Sequence, residues 1–117
     1  MSRIKAVIWT GSSLADLRSF PEDARRRAGF ELSKVQRGLE PSDWKPFPAI
    51  GPGVVELRIH TTVEYRVMYV AKFEEGLYVL HAFEKRSRQP RQADVELAKT
   101  RLRDVLRTRR SPVSSRS

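Results

Sequence analysis

Three segments in the middle of the chain, Val54 to His60, Val63 to Lys72 and Leu77 to Lys85, constrain the fold more than any other feature. They are rich in β-branched and aromatic residues. The links between them, Thr61-Thr62 and Glu74-Glu75-Gly76, are too short for the crossover that parallel strands would need. Three strands joined in this way form an antiparallel meander. In the first, Val55, Leu57 and Ile59 take the core face and leave Glu56, Arg58 and His60 on the other. Tyr65, Val67 and Tyr69 of the next strand join that core only if the connection around Thr61 holds an odd number of residues. Arg66 then falls on the same open face as Arg58, and two arginines converge.

The flanks read differently. From Arg3 to Trp9, Ile4, Ala6 and Ile8 alternate with Arg3, Lys5 and Val7, the pattern of a strand lying on a core. Ser13 with Asp16, and Ser19 with Glu22 around Pro21, have the spacing of capping boxes for two consecutive helices. Ala24, Ala28, Leu32, Val35 and Leu39 recur at helical spacing, which predicts a helix over 21–37 closed by Gly38. Residues 40–53 hold four Pro, two Gly and the isolated Trp44, and predict a loop with Trp44 leaning on the core edge. After Pro90 a helical stripe returns with Val95, Ala98, Leu102, Val105 and Leu106. Its early Asp94 and Glu96 and its late Arg107, Arg109 and Arg110 suit the helix dipole. The expected fold is α+β, a mainly antiparallel sheet with helices on one face, in the order β-α-α-β-β-β-α. Residues 1–110 form one domain, and 111–117 are expected to be a disordered tail.

Charge narrows the partners. Twenty-three Lys and Arg against fourteen Asp and Glu give a net charge of +9, a field that attracts polyanions and weakens with salt. The excess is concentrated from Glu84 onward, where eleven basic residues oppose four acidic ones. No apolar run approaches the ~20 residues of a spanning helix, and no signal-peptide pattern opens the chain. A cytoplasmic protein with no membrane partner is expected. There is no Cys and there are only two His, so no metal and no cofactor are expected.

Five short motifs occur in order: Lys45-Pro46, Gly53-Val54-Val55-Glu56-Leu57-Arg58, Tyr65-Arg66-Val67-Met68-Tyr69, His81-Ala82-Phe83-Glu84-Lys85-Arg86 and Glu96-Leu97-Ala98-Lys99. Together they resemble the phage-derived, HigB-like branch of the RelE/ParE toxin superfamily, over residues 3–107. The resemblance implies a RelE-like sheet and a cognate helix-turn-helix antitoxin that masks a basic groove. It also implies the toxin role in a type II toxin-antitoxin system, exercised as a ribosome-dependent endonuclease that cuts mRNA and inhibits translation. Two other readings stay open: a gyrase-inhibiting toxin of the ParE kind, which shares the fold, and a basic nucleic-acid-binding protein without catalysis.

Metal-independent RNA cleavage needs attack by a 2′-hydroxyl on the adjacent phosphate, a base for its proton, cations for the phosphate charge and an acid for the leaving oxygen. Arg58 and Arg66 supply fork-shaped, permanently charged groups suited to a phosphate. The resemblance implies that Arg66, following Tyr65, contacts the scissile phosphate, that Arg86 belongs to the basic turn after the last strand, and that Lys45 is a loop lysine contacting RNA. Lys85, Arg88 and Arg91 add phosphate contacts around that turn. His81 and Glu56 are the candidates for proton transfer, each with a plainer alternative: a packed core histidine and an ion-pair partner. The chain departs from some relatives in carrying Val54 and Glu56 where they have lysines, and in lacking a Tyr in its C-terminal region.

Overall fold

The computed structural model describes residues 4–110. The elements run β1 (Val7–Trp9), α1 (Ser13–Arg18), α2 (Glu22–Gln36), β2 (Trp44–Pro46), β3 (Val54–His60), β4 (Glu64–Val70), β5 (Leu77–Lys85) and α3 (Gln92–Arg110). One five-stranded sheet has the order β1-β5-β4-β3-β2; β1 runs parallel to β5 and every other pair is antiparallel. Both the expected tail, 111–117, and Arg3 at the start of the first strand lie outside the described residues.

The meander is built as the sequence predicts. Three residues, Thr61 to Val63, join β3 to β4, so the connection is odd and Arg58 stands directly opposite Arg66. Helix α2 ends in a Schellman turn: the Gly38 N–H donates to the Val35 carbonyl and the Leu39 N–H to the Lys34 carbonyl. That turn places Gly38 at φ 81°, a conformation glycine adopts without Cβ strain.

The α+β class stands. Neither expected capping box forms, since Ser12 and Pro21 take the N-cap positions of α1 and α2 without a side-chain cap hydrogen bond, and three larger details differ from expectation. The helices divide between the two faces of the sheet. Leu17, Phe20, Ala24, Ala28, Leu32 and Val35 of the α1–α2 layer pack on Leu57, Ile59, Tyr65, Val67, Tyr69, Leu77 and Val79. The alternate set, Val54, Met68, Val70, Leu80 and Phe83, is apolar too, and Ala98, Leu102 and Val105 of α3 cover it from the other side. β4 and β5 are central strands buried on both faces, so a one-sided reading of their alternation was incomplete. The second detail is β2, a three-residue edge strand inside the Pro-rich loop; Pro46 is tolerated because it ends an edge strand. The third is the phase of β1. Val7 and Trp9, rather than the set Ile4, Ala6 and Ile8, pack on the α1–α2 core, because parallel pairing aligns them with Leu77 and Val79.

Candidate nucleic-acid interface

The α3-covered face does not stay apolar to its end. Along β3 the side chains on this face run Val54, Glu56, Arg58, His60; along β4 they run Val70, Met68, Arg66, Glu64. Lys45 of β2 stands opposite Glu56, and Lys85 of β5 opposite Glu64. Helix α3 covers the apolar half, and the charged half lies beyond it.

A cavity of about 320 Å³ opens there. Its floor is Glu56 and Arg58. One wall is Lys45 with Phe47 and Pro48, and the other is Lys85, Arg88, Gln89 and Pro90 of the β5–α3 connection. Four cations from three separate segments thus line one cavity with a single carboxylate. Glu56 is only 2% exposed and is already committed: Arg58 Nε lies 3.2 Å from one oxygen and Arg66 Nε 3.6 Å from the other. Like charges placed directly opposite on neighbouring strands repel. Glu56 between Arg58 and Arg66 offsets that repulsion, and leaves the outer guanidinium facing the cavity.

Arg66 itself is not on the open face that the sequence predicts for it. It is 6% exposed, because β4 is a central strand and Phe83 of β5 is its cross-strand neighbour. Its Nη1 donates to the Tyr65 carbonyl at 3.0 Å and to Glu64 at 3.2 Å. Arg66 therefore stands beside Glu56, outside the lining of the cavity.

At the rim, His60 joins two strands. Nδ1 lies 2.7 Å from Glu64, and Nε2 is hydrogen-bonded to Asp43 at the entrance to β2. The bonds to Asp43 and Glu64 raise the His60 pKa above its ordinary value. His60, together with Arg66, holds the Glu64 carboxyl below the usual carboxylate range. The imidazole stands between the carboxylates, and the three groups do not converge on one point as metal ligands would. The loop before β2 is anchored from below, where Ser42 donates through its N–H and hydroxyl to Glu31 of α2. Burial works against the charge on Glu31, but the bonds from Ser42 and Lys34 outweigh it and keep its pKa low.

A family model described as phage derived protein Gp49-like (DUF891) matches residues 15–103, well over half of the chain. The chain belongs to the Gp49-like family. The matched span runs from α1 into α3 and contains every residue that lines the cavity. No curated protein matches.

The remaining sequence candidates lie elsewhere in this Gp49-like chain. Arg86 points into solvent, paired with Glu84 at 3.1 Å. His81 is buried under the start of α3, with Nε2 2.8 Å from Asp94 and its ring stacked on Phe83. Arg91 reaches the same Asp94 at 3.5 Å, so both residues meet at the start of α3, apart from the cavity. Asp43, Glu64 and Gln89 were not singled out from the sequence. The parity of the hairpin contained a signal for Glu64: the same odd connection that aligns Arg58 with Arg66 aligns His60 with Glu64.

Proposed function

We propose that this Gp49-like chain is a toxin of the RelE/HigB type that cuts mRNA on the ribosome, with the scissile phosphate held in the cavity between β2, β3 and the β5–α3 connection. The observation that carries this reading is the convergence of Lys45, Arg58, Lys85 and Arg88 around a carboxylate whose charge is already spent on Arg58 and Arg66. Net positive charge is left over in a concave site, which is where a phosphate is attracted and desolvated.

In the reaction, the 2′-hydroxyl gives up its proton to water as its oxygen attacks the adjacent phosphorus, the bond to the 5′-oxygen breaks, and that oxygen takes up a proton from water, so that a 2′,3′-cyclic phosphate and a 5′-hydroxyl result. Extra negative charge develops on the phosphoryl oxygens, and Arg58 with Lys85 and Arg88 stabilises it. Glu56 orients the two guanidiniums, and Arg66 holds Glu56 in place from the protein side. Apolar Phe47, Pro48 and Pro90 give the neighbouring nucleotide a surface to lie on. The same basic cavity suits an antitoxin with an acidic segment, whose charge would speed association.

The test is primer extension on cellular mRNA after a short induction pulse. Cuts inside translated frames are expected. Gyrase-dependent DNA breaks with intact mRNA would instead favour the ParE-like alternative, and neither lesion would favour plain nucleic-acid binding.

A further inference from the structure

The strand that supplies Lys45 is held to the sheet along one side. β2 is three residues long, lies at the sheet edge and pairs only with β3. Just before it, Asp43 is tied twice: its carbonyl accepts the Arg58 N–H at 3.0 Å, and its carboxylate bonds His60 Nε2. The other ring nitrogen of His60 bonds Glu64 of β4, which in turn accepts from Arg66.

A neutral imidazole has one N–H and one acceptor nitrogen, so between two carboxylates it can donate only once. The doubly protonated ring donates to both. From this geometry we infer that His60, as an imidazolium bridging Asp43 and Glu64, is a positioning residue that fastens the Lys45-bearing edge strand to the phosphate-binding face and makes the cavity's hold on RNA depend on pH. The part concerning RNA rests on the function proposed above; the fastening does not.

The charged groups around His60 all lie on this face. Asp43 precedes β2, Arg58 is two residues back on β3, Glu64 and Arg66 are on β4, and Lys85 of β5 stands beside Glu64. The two carboxylates are in direct contact with the ring, while the cations reach it only through Glu64 and Glu56. The His60 pKa is raised, so the clasp is complete below the ordinary histidine value of ~6.5 and is lost as pH rises through the raised one. The Glu64 pKa is lowered, so its share is complete above the ordinary carboxylate range and is lost as pH falls through the lowered value. Between those limits β2 is held.

The experiment follows three signals of the intact chain across pH: the His60 ring nitrogens by NMR, hydrogen exchange of the Arg58 amide, and affinity for a single-stranded oligoribonucleotide. His60 should titrate above ~6.5. As it loses its proton, Arg58 exchange, corrected for the intrinsic pH effect, should accelerate. Oligonucleotide affinity should fall about fivefold through the same midpoint, the factor expected of two half-exposed ion pairs. Asp43→Asn should lower the midpoint. His60→Gln should abolish the step in exchange and affinity, and His60→Lys, a fixed cation, should restore affinity at the alkaline end. If His60 titrates at its ordinary value, or Arg58 protection ignores its charge, the clasp is wrong even where RNA binds. A clear step in Arg58 exchange with no oligonucleotide binding at any pH would support the clasp and refute the RNA site.

Discussion

The two halves of one sheet face differ more from each other than the two faces do. Under α3, Val54, Met68, Val70 and Leu80 are at most 2% exposed and meet Ala98, Leu102 and Val105. From two residues further along the same strands the apolar side chains give way to Glu56, Arg58, His60, Glu64, Arg66 and Lys85. Buried apolar area stabilises the first half in the ordinary way. In the second half, buried charge is held by other charge, an arrangement that contributes little net stability and is costly to break. The covered half keeps the strands in register so that the charged half can present a fixed set of cations. Division of labour within one face is the teaching of the fold.

The sharpest way to break that comparison is at Arg66. Arg66→Ala leaves the 2%-exposed Glu56 with a single partner and should cost about 3–5 kcal/mol, the usual effect of deleting half of a buried pair. Equilibrium denaturation checks it, and a loss below about 1 kcal/mol would mean that the pair is effectively solvated. Replacing Glu56 and Arg66 together with Met should cost less than Arg66→Ala alone, since no uncompensated charge is then left inside.

Next in size is the covered half. Leu102→Ala, at a site 5% exposed, should cost about 2–4 kcal/mol by loss of transfer energy and residual cavity. Oligonucleotide affinity per folded molecule should be unchanged, which a binding titration well below the melting temperature would show. The smallest effect on stability is expected for Arg58→Ala. Its side chain is 30% exposed, which discounts its bond to Glu56, so the change should cost about 1–2 kcal/mol, less than loss of the buried Arg66. It should nevertheless lower the slope of log affinity against log salt by about 1, as one phosphate contact is lost.

Much of this architecture is legible in the sequence, and the exceptions have physical causes. The meander and the Arg58–Arg66 pairing follow from the period of two and the parity of one connection, both local properties. Which side α3 covers does not follow from its own stripe, because Ala98, Leu102 and Val105 fit either face; the decision lies with Met68, Val70 and Leu80, more than twenty residues before Leu102 at the nearest. β2 is hidden by Pro46 and Pro48, since edge pairing tolerates residues that strand propensity penalises. The cavity residues Lys45, Glu56, Arg58, Lys85 and Arg88 were nameable as charges in suggestive places. The burial of Arg66 was not, because it is imposed by Phe83 and Glu56 on neighbouring strands. His81 shows the other side: a lone histidine in a strand is conspicuous in sequence, but its 2.8 Å contact with Asp94 of α3 is not, because that partner lies thirteen residues further along the chain.

The central claim is that the charged half acts and the covered half supports. Programmed ribosomes carrying a defined mRNA, incubated with equal amounts of folded wild-type, Leu102→Ala and Arg58→Ala protein, test it most directly. The account predicts in-frame cuts by the first two at similar rates and a rate for Arg58→Ala lower by roughly a hundredfold, the scale of losing one transition-state charge contact. Equal cutting by all three, or loss of cutting in Leu102→Ala alone, would contradict it.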